Sequence, residues 1–153
     1  MAKATIKMPD DFLVKLSKLG EKTDEITSKV LQTGAEVVCK KVKSNLQAVV
    51  GKETKIESRS TGELINSLGI SSVRQDKEGN SNIKVGFSEP RKDGKSNAMI
   101  ANIIEYGKHG QEARPFLKPA QSATKKSCKE AMINKLEEEI SKLWVYSKTL
   151  IQF

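Results

Sequence analysis

The side chains of this sequence that could carry chemistry are few and poorly spaced for it. His109 is the sole histidine, so no multi-histidine metal site is available, and a cysteine–histidine pair would need distant segments to meet. It stands in Lys108-His109-Gly110-Gln111, a polar loop in which an imidazole is expected to face solvent. Cys39 and Cys128 fit no metal-ligand spacing and no disulfide framework. Both fall in helical patterns, where a reduced thiol acts as a small apolar side chain in a cytoplasmic setting. Gly62, Gly69, Gly79 and Gly86 make no phosphate-cradling pattern after a strand. Glu137-Glu138-Glu139 offers three carboxylates, but consecutive helix positions point in different directions, so a solvated face is the better reading. The expectation is a protein that is not an enzyme and has no cofactor and no metal.

Charge and composition narrow the partners without choosing one. Lys plus Arg number 27 against 19 Asp plus Glu, a net charge of +8 over 153 residues. That balance favours nucleic acid, an anionic membrane face or an acidic protein surface. The clusters Lys40-Lys41 with Lys43 and Lys125-Lys126 with Lys129 have no interleaved aromatics for base stacking and no recognition-helix motif. Any contact with DNA is therefore expected to be non-specific. No apolar run approaches the roughly 18 residues of a membrane span, and Met1-Ala-Lys-Ala-Thr-Ile lacks the apolar core of a signal peptide. The expectation is one domain over 1–153, made in the cytoplasm, with no membrane contact and, at 5% aromatics, a mainly aliphatic core.

Apolar spacing supplies the elements that would position these residues. Pro9-Asp10-Asp11 opens a short helix through Phe12, Leu13, Leu16 and Leu19 that ends at Gly20, with proline and acidic residues where a helix start favours them. Ile26, Val30, Leu31, Val37, Val38, Val42, Leu46 and Val49 recur at steps of three and four, the mark of a long amphipathic helix closed by Gly51. Gly34 falls on the same stripe, where a missing side chain lets another element approach closely. Residues 52–60 read as a mobile polar loop. Thr61 to Leu68 reads as a short turn-helix feeding a strand. Leu68–Val73 and Asn82–Ser88 are strands, with Ile83, Val85 and Phe87 alternating inward, and Asp76 to Ser81 turns them into a hairpin. A polar loop, 89–97, precedes an apolar run, Ala98 to Ile104. The final helix is expected from about Ala120 to Leu143, with Ala123, Cys128, Ala131, Leu136, Ile140 and Leu143 inward. Trp144 to Phe153 is too apolar for a solvated tail and either folds back or docks on a neighbour.

The most informative stretch is Glu105-Tyr106-Gly107, a polar loop, then Arg114-Pro115-Phe116-Leu117-Lys118-Pro119-Ala120. Gly107 permits a positive φ, Pro115 and Pro119 hold the chain extended and start a helix, and Phe116 and Leu117 anchor in the core. Glu105 and Arg114 are placed to pair across the loop. On these residues alone, the stretch is a well-built loop between a strand and a helix.

Together with Thr61-Gly62-Glu63-Leu64-Ile65-Asn66-Ser67, this arrangement resembles the tail-completion family of siphophages, the gene-product-ten-like neck or minor tail proteins. The likeness in order and spacing spans about residues 12–143 and rests on Thr61, Gly62, Leu64, Ser67, Glu105, Tyr106, Gly107, Arg114, Pro115, Phe116, Leu117 and Pro119. Lys108 stands where the family usually has Thr. With the helical stripes, the plan is α+β: a small antiparallel sheet packed by a long N-terminal and a C-terminal amphipathic helix. The resemblance implies a structural virion-assembly protein, a tail-completion or head–tail joining subunit forming a ring, sixfold like the tail tube. Its implied partners are its own copies, the tail tube protein and head-completion proteins, and its location is the virion after assembly in the host cytoplasm. Two alternatives remain: a basic nucleic-acid-binding or packaging accessory protein, and a prophage-borne interaction module. The expected contact edges are the loops 52–60, 89–97 and 107–113, with Lys95, Lys108 and His109 as interface candidates.

Overall fold

The half-buried strand expected around Ile83 is the one on which the sheet is built. A computed structural model of the chain describes residues 3–7, 22–51, 62–89 and 91–151, the last nine of these in backbone only. Strand β1 (Ala4–Lys7) is followed by helix α1 (Thr23–Val49), the short helix α2 (Glu63–Ser67), strands β2 (Leu68–Ile70), β3 (Arg74–Gln75) and β4 (Ser81–Phe87), and helices α3 (Asn97–Tyr106) and α4 (Leu117–Ile151). Strand β4 is central and antiparallel to all three others. Ala4 lies opposite Val85 and Ile6 opposite Ile83. On the other side Leu68 faces Phe87 and Ile70 faces Val85, and Arg74 faces Asn82.

The expected hairpin is present, with a break at 71–73. There the Ser71 N–H donates to the Lys84 carbonyl at 2.8 Å, while the Ser71 hydroxyl accepts the Lys84 N–H at 3.0 Å. A side chain thus takes the place of a backbone acceptor and divides β2 from β3. The turn is tied by Asp76, whose carboxylate accepts the N–H groups of Glu78 and Asn80 at 3.0 and 2.8 Å.

Ile83, Val85 and Ala4 bury one sheet face with the inner stripe of α1. Helix α4 packs antiparallel on α1. Asn45 meets Phe116, Gly34 meets Cys128 and Met132, and Lys29 meets Glu139. Gly34 serves the close approach that its place on the stripe suggested. A Cβ there would lie 2.8 Å from the Met132 Cγ and 3.1 Å from the Cys128 Sγ. The architecture is α+β, as the apolar stripes require.

The structure corrects three expectations. The apolar run before Glu105 is helix α3, so the turn after it joins two helices rather than a strand and a helix. Helix α4 begins at Leu117, earlier than Ala120, because Pro119 is tolerated in a first turn whose N–H groups have no partner inside the helix. The buried stripe of α4 is Ala120, Thr124, Cys128, Met132 and Leu136; Ala123 is exposed and Ala131 only half-buried. Thr124 enters the stripe because its hydroxyl donates to the Ala120 carbonyl at 2.7 Å, which removes the penalty of burying it. The helix expected at 9–20, the loop 52–60 with Thr61, and the side chains of Leu143 and the apolar tail lie outside the described residues, although α4 continues as helix to Ile151.

The α1–α4 contact at Gly34 makes a direct prediction. Gly34→Leu should lower unfolding free energy by about 1–3 kcal/mol through overpacking. Adding Met132→Ala should recover part of that loss by vacating the space the new side chain needs. Urea denaturation of the two variants checks both signs.

Candidate interface around helix α3

A single carboxylate organises the segment that sequence reasoning singled out. Glu105, on the last turn of α3, is 3% exposed. Its Oε2 accepts the N–H groups of Phe116 and Leu117, each at 2.8 Å, and its Oε1 accepts that of Lys118 at 2.9 Å. These are the free donors at the start of α4, where the helix dipole also favours negative charge. Pro119 has no N–H to satisfy. The carboxylate expected to face Arg114 across the loop thus serves as a helix cap, and the Arg114 N–H donates to the Ile104 carbonyl at 2.7 Å.

The turn between the two helices has little freedom. Gly107 sits at φ 77°, and a Cβ on it would come 2.8 Å from the Ala113 nitrogen and 2.9 Å from the Gln111 carbonyl oxygen. Both obstacles are backbone, so glycine is required for conformation and for space. Lys108 and Gln111 exchange backbone hydrogen bonds at 3.0 and 2.9 Å, leaving Lys108 and His109 exposed on a tight turn. Pro115 is exposed and Phe116 fully buried. Phe116 meets Phe87 edge-on at 6.1 Å between ring centroids, and its carbonyl accepts a hydrogen bond from Asn45 at 3.1 Å.

The second motif is local. Gly62 adopts φ 77° before α2, Leu64 enters the core, and the Ser67 hydroxyl donates to the Leu64 carbonyl at 2.7 Å. Its link to the first motif runs through residues that sequence reasoning missed. Glu63 accepts the Lys92 N–H at 2.7 Å and pairs with Arg91 at 3.7 Å. Arg91 also donates to the buried Asn97 side chain at 3.0 Å, and Asn97 donates to the Ser88 carbonyl at 2.7 Å. Glu89 accepts the Ala98 N–H and the Ser96 hydroxyl, each at 2.7 Å, while Ser96 caps α3 by accepting the Met99 N–H. Ser96 before an apolar run is a helix-start signal that could have exposed α3.

The interface candidates Lys95 and Lys108 are both exposed, one just before α3 and the other just after it. Between them the helix presents Met99, 62% exposed, and Tyr106, 69% exposed. Their separation of two helical turns places them on one face. Elsewhere, burial raises both thiols, Cys39 and Cys128, above the ordinary range, which disfavours the reactive thiolate. Among the described residues no group of three or more His, Cys, Asp or Glu is arranged to hold a metal, and no helix is long and apolar enough to cross a membrane. A groove of about 370 Å³ lies on the outer sheet face, over Gly69 and Gly86 and beside Lys3 and Lys84.

A small antiparallel sheet under two long helices, with a capped helix–turn–helix joint, makes an α+β fold whose motif residues hold backbone in place. The chain belongs to the HK97 gp10-like family: the family model described as "Bacteriophage HK97-gp10, putative tail-component" matches residues 10–107. The match takes in Gly62 to Ser67 and Glu105 to Gly107 and stops before Arg114. Searches of curated proteins and of solved structures return no match.

Glu105→Ala strands three N–H donors in a dry site and should cost on the order of 3 kcal/mol or more. Glu105→Gln, which keeps one acceptor oxygen, should cost less, and guanidinium denaturation ranks the two. A pH effect arises from Glu89, whose carboxyl the Ala98 N–H and then the Ser96 hydroxyl hold below the ordinary range. The unfolded chain takes up the proton first, so this contribution is present above about pH 4 and is lost as pH falls through the lowered folded value. Urea midpoints should drop between about pH 5 and pH 2, and Glu89→Gln should reduce that drop.

Proposed function

We propose that this protein is a structural component of a bacteriophage or prophage tail, acting in tail completion or head–tail joining as a ring at the head-proximal end. Membership of the tail-component family carries this reading. The structural support is that Glu105, Gly107 and Phe116 build a rigid joint instead of a reactive site. Its partners are other copies of itself, sixfold on assembly, with the tail tube protein on one side and head-completion proteins on the other. Assembly takes place in the host cytoplasm and the product resides in the virion. The loops 89–97 and 107–113 lie at the two ends of α3, and Lys95, Lys108 and His109 belong to the contact surface.

The isolated protein associates weakly. At +8 copies repel at long range, which opposes spontaneous closure at low ionic strength. A tail end that offers several sites at once supplies effective concentration that a single neighbour does not. Light scattering should therefore report monomers in solution and a defined ring on purified tail tubes. Lys95→Glu and Lys108→Glu should keep the thermal midpoint and reduce recruitment to tubes. A tight ring formed without any partner would contradict this scheme. Mass spectrometry of tails purified from the phage carrying the gene tests the tail assignment itself.

A further inference from the structure

One exposed apolar face and one apolar stretch of sequence lie far apart along this chain. The first is the outer face of α3, formed by exposed Met99 and Tyr106 with half-buried Ile103 between them. Its opposite face holds Asn97, Ala101 and Glu105 in the interior, so the outer stripe is presented on a fixed helix. Glu105 is the sole charged residue of α3, and solvent-facing helices rarely lack charge so completely. The second is apolar in sequence: Trp144-Val145-Tyr146 and Leu150-Ile151 belong to the last turns of α4.

Within one chain the two are out of reach. Helix α4 starts at Leu117, which donates to Glu105 of α3, and is continuous to Ile151. Trp144 therefore lies about 40 Å along the helix from that joint, at 1.5 Å per residue. Helix α3 is itself only about 15 Å long, so even its far end leaves a gap on the order of 25 Å. Each copy thus carries an apolar segment and an exposed apolar face of α3 that cannot meet within one chain.

We infer that the apolar end of α4 in one copy docks on the Met99–Ile103–Tyr106 face of α3 in the next. This contact is head-to-tail, the kind that closes into a ring when the rotation permits and otherwise continues as a filament. It rests on the ring reading above and supplies the contact which that reading lacks. The occupant is a second copy because the complementary segment is present in every chain and is held away from its own acceptor. A ten-residue helix presents far less than the roughly 800 Å² per partner of a stable interface. One contact is accordingly weak, and assembly depends on a template or on closure. Lys95 and Lys108, at the two ends of α3, form its polar rim.

Two full-length variants test this: a face variant, Met99→Glu with Tyr106→Glu, and a tail variant, Trp144→Glu with Leu150→Glu. In sedimentation equilibrium at high protein concentration the wild type should self-associate, and each variant alone should do so more than about tenfold less tightly. An equimolar mixture should form dimers and stop there, since one intact tail meets one intact face. Both variants should unfold near the wild-type temperature. A wild type that stays monomeric at millimolar concentration, a mixture without dimers, or a face variant that associates normally overturns the inference. A tail variant with a strongly lowered unfolding temperature does so too, because it assigns the tail to its own core. Incorporation into tails keeps the two readings apart. If face variant and wild type enter tails equally, the docking contact fails while the tail assignment stands; if wild type is absent from tails, the assignment itself fails.

Discussion

The first turn of a helix leaves backbone N–H groups that nothing inside the helix can satisfy, and away from water each is costly. In this protein the problem is concentrated where α4 leaves the core, because Phe116 and Leu117 are buried and no solvent is available to them. Glu105 resolves it by reaching from α3 to three N–H groups at 2.8–2.9 Å, and Pro119 withdraws the next donor altogether. One side chain therefore fixes the end of one helix to the start of another. The other features of the segment serve that bond. Gly107 turns the chain tightly enough to bring Glu105 back, Arg114 ties the returning chain to Ile104, and the Phe116 ring sets the depth at which α4 enters the core. The direction of α4 along α1 is set by the same joint and held further along by the Gly34 and Lys29–Glu139 contacts.

Much of this is legible in the sequence, and the failures have physical causes. Helix α1 and strand β4 each have one face wet and one dry, so their periods stand out. Helix α3 does not, because apolar residues lie on its buried and its exposed sides alike, and the run Ala98–Ile104 resembles a strand or a loop as much as a helix. The stripe on α4 keeps Cys128 and Leu136 but takes Thr124 and Met132 in place of Ala123 and Ala131, since Ala123 looks more buriable than Thr124 until the Thr124 hydroxyl finds the Ala120 carbonyl. Glu139 is buried for a comparable reason: Lys29, Lys135 and Lys142 all reach it at 3.3–3.4 Å. The importance of Glu105, Gly107 and Phe116 is visible in their order. The role of Glu105 is not, because Arg114 is a nearer partner by charge and backbone donors leave no mark in a sequence.

The polar loops also differ from their appearance in the sequence. Segment 89–97 looks unstructured by composition, yet Glu89, Arg91, Asp93 and Asn97 bond one another and neighbouring backbone at 2.7–3.2 Å. Its partners include Glu63, so the Gly62–Ser67 motif and the start of α3 are held as one piece. A helix braced at its first turn by that network and at its last by the α4 cap has little freedom to adapt to a neighbour, which suits a surface of fixed shape.

Strand β1 has a consequence for the time at which the protein becomes whole. Its four residues pair with β4, from Ala4 against Val85 to Lys7 against Asn82, so during synthesis this segment waits for about 80 further residues. At synthesis rates of roughly 5–20 residues per second, that is an interval of about 4–16 s during which a strand edge has no native partner. Lys3 and Lys7 bracket the segment Ala4-Thr5-Ile6, and charge at both ends is what deters a bare edge from joining a neighbouring nascent chain.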